Sequence, residues 1–194
     1  MKRALTYYIL TEFGPVLTFF IAAQYYSFFI ATKALLITTI LAFATTWFHE
    51  KRVPLIPCVS GLFVMIAGTI TLIYQAPNAL ILSDSLYYLF VSTALTLSLY
   101  YKKLILKKFF GRLFAMHDTG WHIETTRLIY LCLIAGVLNE VIRIKMSVDF
   151  WMYYKFGKAI VITLFSIYQF KLVRAYRIET ESNSWGLRNT FPAE

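Results

Sequence analysis

The sequence predicts an all-α protein, a polytopic membrane helix bundle with five to six transmembrane helices. Hydrophobic residues make up 59% of the 194 residues and charged residues only 15%, whereas a soluble domain of this size carries about a quarter charged residues. The apolar residues form runs of roughly 20 residues, the length that a helix needs to cross a bilayer. Helices are expected because each spanning segment must satisfy its own backbone, and the alternating strands of a barrel are absent.

Six apolar runs follow one another and predict a single integral membrane domain over residues 1–194. The predicted spans are 7–30, 31–48, 55–74, 84–101, 121–142 and 156–176, and a polar, frayed tail is expected over 177–194. Pro15 removes a backbone donor in the first run, so this segment is either a kinked span or a half-inserted helix. Lys33 alone separates the first two runs, which predicts a very short turn and leaves five and six spans open.

Two more boundaries follow from local signals. Ser83 is a suitable N-cap, so the fourth helix is expected to begin at about Asp84, after an uncharged turn over 75–83. Residues 143–155 are expected to form a mixed loop. The loop contains three aromatic residues of the kind that anchor membrane interfaces: Trp151, Tyr153 and Tyr154.

A basic connector, residues 102–114 (KKLILKKFFGRLF), lies between the fourth and fifth runs and carries five of the nineteen basic residues. As a helix it would place Leu104, Ile105, Phe109 and Leu113 on one broad side and lysines on another. This pattern predicts a basic amphipathic helix in the membrane interface. Its basic residues are candidate contacts for anionic lipid headgroups: Lys102, Lys103, Lys107, Lys108 and Arg112. The alternative is a simple stop-transfer charge cluster.

The positions of the basic residues predict orientation rather than nucleic-acid binding. The net charge is +9, but the bases sit at span ends, and no basic face with stacking aromatics lies outside the spans. With six spans, thirteen Lys and Arg residues fall on one side and five on the other, with Arg127 inside a span. Since the richer side is cytoplasmic, the C-terminus is predicted to be cytoplasmic with either number of spans.

The fifth run carries the polar groups that a membrane span rarely contains: Glu124, Arg127, Asn139 and Glu140. Glu124 and Arg127 are three residues apart and able to pair on one helix face, and Glu140 could pair with Arg143. These residues are a candidate polar site for a lipid headgroup or a partner helix. The alternative is interhelical hydrogen bonding together with side chains that extend to the interface.

The sequence contains no positive sign of an enzyme. Nucleotide-binding, hydrolase and zinc-protease motifs are missing, and no catalytic, cofactor-binding or metal-binding residue is predicted. Cys58 and Cys132 lie in apolar runs without a CxxC pair and are expected to be buried thiols. His117 and His122 have poor helical spacing for a shared ion.

Short motifs along the chain resemble the intracellular septation protein A family of small inner-membrane proteins. The opening run is similar through Pro15, Phe19-Phe20 and Ala31-Thr32, and the third through Gly68-Thr69-Ile70-Thr71-Leu72. The basic connector is similar through Lys103-Leu104-Ile105 and Phe110-Gly111. In the last third the matching residues are Trp121, Asn139, Trp151, Tyr154, Lys155, Phe156 and Gly157. The chain departs from the family at 80–83, where lysines are expected, and at Leu128, where a Trp is expected.

The resemblance implies a non-enzymatic protein of the bacterial inner membrane that supports the cell envelope, its integrity, and septation and cell division. Its implied partners are envelope or division proteins of the membrane, besides anionic lipids, and a homo-oligomer stays open. Two alternatives from other classes remain, a small lipid or solute transporter and an accessory subunit of a membrane complex. A transporter predicts a cavity that reaches Asn139, Glu140 or Arg127.

Overall fold

The computed structural model describes residues 2–50, 55–111 and 113–189, with side chains from 14–48, 58–111 and 113–189. All named elements in this part of the chain are helices. They are α1 (Lys2–Tyr25), α2 (Phe28–Glu50), α3 (Leu55–Tyr74), α4 (Asn78–Tyr100), α5 (Ile105–Phe110), α6 (Asp118–Lys145) and α7 (Val148–Ala175). The predicted all-α class is therefore confirmed for the described residues.

The first two helices meet earlier than the hydropathy pattern predicts. Residues 26–27 separate α1 from α2, so Lys33 lies inside α2 rather than between two spans. Ser27 marks the start of α2, because its Oγ accepts a hydrogen bond from the Ile30 amide at 3.4 Å, as an N-cap does. Pro15 is accommodated within α1, which is continuous from Lys2 to Tyr25.

The predicted start of the fourth helix is wrong by six residues. α4 begins at Asn78, and the turn before it is only 75–77, with Gln75 at a φ of 52°. Ser83 is not an N-cap, since it lies inside α4 and donates to the Leu80 carbonyl at 2.7 Å. Thr71 in α3 caps the helix instead, because its hydroxyl accepts from the Leu80 amide at 3.0 Å.

The predicted loop over 143–155 is also wrong. α6 continues to Lys145 and α7 begins at Val148, so only residues 146–147 connect them. Ser147 caps α7 by accepting from the Phe150 amide at 3.2 Å. Trp151 is consequently a helical core residue with 0% exposure, not an interface anchor, whereas Tyr153 is 56% exposed as an anchor would be.

The basic connector contains a helix, but a shorter one than predicted. Among the described residues of the connector, only the six residues of α5 are helical. Ser98, near the end of α4, fixes the backbone that leads into α5. The Ser98 hydroxyl donates to the Lys103 carbonyl and accepts from the Ile105 amide at 3.0 Å. The side that packs inward contains Leu106 and Phe110, whereas Phe109 and Leu113 are exposed.

Residues 177–189 are not frayed, contrary to the prediction, because they form backbone hydrogen bonds with residues 113–115. The Ala115 amide donates to the Gly186 carbonyl at 3.1 Å and the Ile178 amide donates to the Ala115 carbonyl at 2.9 Å. Gly186 has a φ of +78°, a conformation that favours glycine. Polar composition did not reveal this order because backbone groups, not side chains, make most of these contacts.

The chain divides into two compact units. Unit 1 comprises 1–87 and 136–157, and unit 2 comprises 88–135 and 158–194, so α4, α6 and α7 each contribute to both. The core of unit 1 contains residues from six helices: Phe19, Ala31, Leu35, Ala67, Leu80, Ile81, Ile142, Trp151 and Met152. The core of unit 2 contains Leu95, Leu106, Met116, Trp121 and Val173.

Large apolar side chains are exposed on the described helices. Ile37 is 59% exposed, Leu89 is 58% exposed and Leu164 is 60% exposed. Three helical segments are long and apolar enough to cross a membrane, namely Phe28–Phe48, Asn78–Tyr100 and Val148–Ala175, and Cys58–Tyr74 is apolar but shorter. A surface of this kind is suited to hydrocarbon rather than to water.

Candidate functional site: a buried polar cluster around Trp151

Asn139 is the centre of a buried polar cluster in unit 1. Its side-chain amide donates to the Ile81 carbonyl and to the Ser85 hydroxyl, each at 2.9 Å, and its Oδ1 accepts from the Trp151 indole N–H at 2.9 Å. Both Asn139 and Trp151 have 0% exposure. One asparagine therefore connects α4, α6 and α7 through two donated bonds and one accepted bond.

The cluster continues from Ser85 to an ion pair nearer the end of α6. The Ser85 hydroxyl donates to Glu140 Oε2 at 2.9 Å, and Arg143 donates to Glu140 Oε1 from Nε at 2.9 Å and also from Nη2. The predicted pairing of Glu140 with Arg143 is therefore present. A chain of donors that ends on a carboxylate strengthens each of its hydrogen bonds.

A second ion pair lies beside the indole of Trp151. Lys155 Nζ is 2.8 Å from each carboxylate oxygen of Asp84, and the side chains of Lys155 and Asp84 are only 9% and 12% exposed. The same ammonium lies 4.8 Å from the centre of the Trp151 ring. Lys155 follows Trp151 by four residues, which places both on one face of α7.

Aromatic rings from the first two helices pack against the cluster. The rings of Phe19 and Phe28 each lie 6.1 Å from the Trp151 ring, measured between centroids. Phe20 stacks on Phe156 at 4.6 Å. Because these rings shield the indole, the hydrogen bond between Trp151 and Asn139 lies in an apolar environment, where a lost partner is costly.

The sequence indicates two of the polar residues of this cluster and misses three. Asn139 and Glu140 were predicted as site residues, but Asp84, Ser85 and Lys155 were not. The spacing of Trp151 and Lys155 would have indicated the site, because residues four apart share one face of a helix. That inference requires 148–155 to be assigned to a helix rather than to a loop. Hydropathy predicts Asp84 as the first residue of a span, although α4 begins six residues earlier, at Asn78.

The other two predicted residues lie in a separate group in unit 2. Arg127 donates to Gln169 Oε1 in α7 at 2.9 Å and lies 5.8 Å from the centre of the Tyr168 ring. The charges of Arg127 and Glu124 interact, but in the described part of the chain no ion pair within 4.0 Å joins them. Glu124 Oε2 is buried there without a hydrogen-bond partner. Since Gln169 offers a fixed acceptor on the facing helix, Arg127 bonds between helices rather than along its own.

Among the predicted lipid contacts, Lys107 differs from the other lysines because it is paired with a carboxylate. Lys107 forms an exposed ion pair with Asp118 at 2.6 Å. Lys102, Lys103 and Lys108 are exposed, and Arg112 lies outside the described residues. The connector therefore presents three exposed ammonium groups near two exposed apolar side chains.

The geometry of the Trp151 cluster is suited to holding helices together rather than to catalysis. Asn139 uses both amide hydrogens and its carbonyl oxygen on protein partners, and its complete burial leaves no exposed atom for a solute. Hydrogen bonds between helices are the usual role of such residues in membrane bundles. In the residues that the structure describes, no group of three His, Cys, Asp or Glu side chains is placed to hold a metal ion.

Apolar helices with exposed hydrophobic faces and internal polar contacts define a multi-helix membrane protein. The family model for intracellular septation protein A matches residues 8–180. The chain therefore belongs to the intracellular septation protein A family, and the resemblance found in the sequence is confirmed. It is a membrane-spanning protein of the inner membrane.

Curated relatives described as inner membrane-spanning protein YciB match nearly the whole chain. The relative from Bradyrhizobium sp. is 30% identical over 173 residues, which cover 89% of this chain and 86% of the relative. The relative from Afipia carboxidovorans is 30% identical over 87% of this chain and 84% of its own length. That from Yersinia enterocolitica is 28% identical over 81% and 89%. No solved structure matches the chain.

Proposed function

We propose that this chain supports envelope integrity and septation as a non-enzymatic inner-membrane protein that acts through membrane partners. The observation that carries the proposal is the family match over residues 8–180. The Trp151 cluster supports it, because the polar groups of Asn139 are used to fix helices and leave no solute path to that residue. The transporter alternative needs such a path, so it receives no support from this site.

A deletion strain tests the proposed function. In a bacterium that lacks its own family member, this chain is expected to restore cell length and resistance to hypo-osmotic lysis. Crosslinking in native membranes is expected to recover envelope or division proteins with it. If the deletion leaves length and lysis unchanged and the chain purifies alone, the proposal is wrong. Flux of a solute in reconstituted vesicles that Glu140→Gln abolishes would favour a transporter instead.

We further propose six spans with both ends of the chain in the cytoplasm. The connectors 26–27, 75–77 and 146–147 in unit 1 are short and carry no Lys or Arg, while unit 2 contains the basic connector. Basic connectors stay on the cytoplasmic side. This arrangement makes α1, α2, α3, α4, α6 and α7 the six spans.

Single cysteines in a Cys58→Ala, Cys132→Ala background test the orientation. Met146→Cys, which is on a short connector, is expected to react with a membrane-impermeant maleimide in spheroplasts. Leu5→Cys and Ser184→Cys are expected to react only in inside-out vesicles. Labelling of Leu5→Cys in spheroplasts would reduce the count to five spans, and labelling of Ser184→Cys there would reverse the proposed orientation.

The connector is proposed to lie at the headgroup level of the cytoplasmic leaflet. Phe109 and Leu113 are 40% and 47% exposed beside the exposed lysines, a combination that suits a membrane interface. A spin label at Phe109→Cys in vesicles is expected at headgroup depth, whereas one at Ser184→Cys serves as the aqueous control. Equal aqueous accessibility of the two labels would contradict this placement.

A further inference from the structure

A patch of cations in unit 2 lies against aromatic rings. The Arg127 guanidinium carbon is 5.8 Å from the Tyr168 ring centre, and Lys171 Nζ is 5.4 Å from the same centre. One turn further along α7, the Arg174 guanidinium carbon is 5.1 Å from the Trp185 ring centre. Tyr168 and Trp185 are 53% and 55% exposed, so the patch lies at the surface.

The ion pairs of unit 2 leave these three cations out. Within the described residues, no ion pair within 4.0 Å includes Arg127, Lys171 or Arg174, whereas Lys107, Arg177 and Arg188 each form one. Glu124, one turn before Arg127, is the nearest carboxylate in the sequence, and its Oε2 is buried. Two cations on one ring repel each other in an environment of low dielectric constant, so an anion at the exposed edge of that ring would be strongly favoured.

Gln169 fixes the geometry of the patch. Its side chain is buried, with 5% of the residue exposed, and its Oε1 holds Arg127 at 2.9 Å. That single bond leaves the other guanidinium donors of Arg127 available, and the flexible ammonium of Lys171 offers up to three more. Arg127 lies about 13 Å along α6 from its start, and its long side chain can lean towards the N-terminal end of that helix. Its charge can therefore reach headgroup depth.

We infer that Arg127, Lys171 and Arg174 form a binding site for the phosphate of an anionic phospholipid, with Tyr168 as its apolar floor. The inference rests on the proposed membrane arrangement, in which α6 begins and α7 ends in the headgroup region. The patch carries three positive charges, and within the described residues no carboxylate forms an ion pair within 4.0 Å with any of them. This charge balance favours a headgroup such as glycerol phosphodiester over one that adds an ammonium. The phenol ring and the exposed Leu164, one turn before it, would contact the acyl chain.

Native mass spectrometry of the purified full chain tests the site with phosphatidylglycerol and phosphatidylethanolamine of identical acyl chains. Arg127→Gln and Lys171→Gln are each expected to weaken phosphatidylglycerol binding about fivefold, and the double variant about 25-fold, because each basic contact contributes about 1 kcal/mol. Lys145→Gln, which removes an exposed cation from the other unit, is the matched control and should bind as the unchanged chain does. Arg127→Lys should retain most of the binding because the charge is kept.

Three outcomes would overturn the inference. The first is a double variant that binds phosphatidylglycerol as tightly as the Lys145→Gln control. The second is that phosphatidylethanolamine binds as tightly as phosphatidylglycerol and that the variants weaken the binding of both lipids equally. That result would mean that the site does not select anionic lipid. The third is equally tight binding of inorganic phosphate, which would make the ligand a free anion. The thermal midpoint of every variant shows whether it is folded, and none of these results depends on the envelope phenotype.

Discussion

Replacing Asn139 by leucine should destabilise the protein, because it leaves the indole N–H of Trp151 without its acceptor in a fully buried position. The two side chains are joined at 2.9 Å and both have 0% exposure. Leucine branches at Cγ as asparagine does and is larger, so the substitution removes hydrogen bonds without opening a cavity. The Ser85 hydroxyl loses one donor at the same time but keeps Glu140 as its acceptor.

The expected cost follows from the burial of the donor. An unsatisfied buried donor costs about 1–3 kcal/mol, whereas hydrogen bonds between membrane helices average about 0.6 kcal/mol and reach about 1.7 kcal/mol. We expect about 1–2 kcal/mol for Asn139→Leu. For a protein of this size each kcal/mol lowers the thermal midpoint by about 2–4 °C, so the midpoint should fall by about 2–8 °C.

The assay is thermal unfolding in detergent micelles, followed by the far-ultraviolet circular dichroism of the helices. Asn78→Leu is the matched control, since Asn78 is exposed at the start of α4, and its midpoint should stay close to that of the unchanged chain. Trp151→Phe removes the donor, so the double variant should be about 1–2 kcal/mol more stable than the two single losses add up to. An unchanged midpoint for Asn139→Leu, or additive losses in the double variant, would refute the reasoning.

Three other substitutions test the remaining contacts. Ser98→Ala removes the acceptor of the Ile105 amide and should cost about 1 kcal/mol, measured as faster amide exchange at the start of α5. Gly68→Ala would place a Cβ 2.7 Å from Leu36 Cδ2 and should lower the thermal midpoint, which Leu36→Ala should restore. Gly186→Ala requires a left-handed alanine at a cost of about 1–2 kcal/mol, and trypsin should then cleave residues 177–189 faster.

The predictions for Ser98 and Gly68 each have a control on the same chain. Ser166→Ala removes a hydroxyl that bonds only to its own helix, at the Ile162 carbonyl, and amide exchange at α5 should not respond to it. Gly157→Ala adds a Cβ with no neighbour within 4 Å, so the midpoint should not fall. Equal effects in a test variant and its control would show that the named contact is not the cause.

The helices could be predicted from hydropathy, but several of their ends could not. Ser27 interrupts an apolar run by capping α2, and Ser147 caps α7 inside the segment predicted as a loop. A single serine hardly changes the hydropathy of a window. Trp151 illustrates a different limit. A tryptophan near a polar segment indicates an interface anchor when its hydrogen-bond partner is unknown. Its partner Asn139 can be recognised only once residues 148–155 are known to be helical and joined to α6 by two residues.

The connector and residues 177–189 show why some tertiary contacts could not be predicted from the sequence. The predicted apolar side of 102–114 included Phe109 and Leu113, but Leu106 is the residue that packs inward because Ser98 fixes the direction in which α5 leaves α4. Residues 177–189 were predicted to be frayed since they lack an apolar pattern. Their order comes from backbone bonds to residues 113–115, and no pattern of side chains records such bonds.

The distribution of polar residues explains how the helices of unit 1 select their neighbours. Lipid chains are as apolar as leucine, so apolar faces alone give no hydrophobic preference for one helix partner over another. Polar side chains of α4, α6 and α7 bond to one another in that unit, where Asp84 pairs with Lys155 and Asn139 bonds to Ser85 and Trp151. A shift of any of these helices by one residue would rotate its polar group by about 100° and leave charges unsatisfied. The cluster therefore fixes the register of these three helices, while the aromatic side chains of α1 and α2 fit against the surface that it creates.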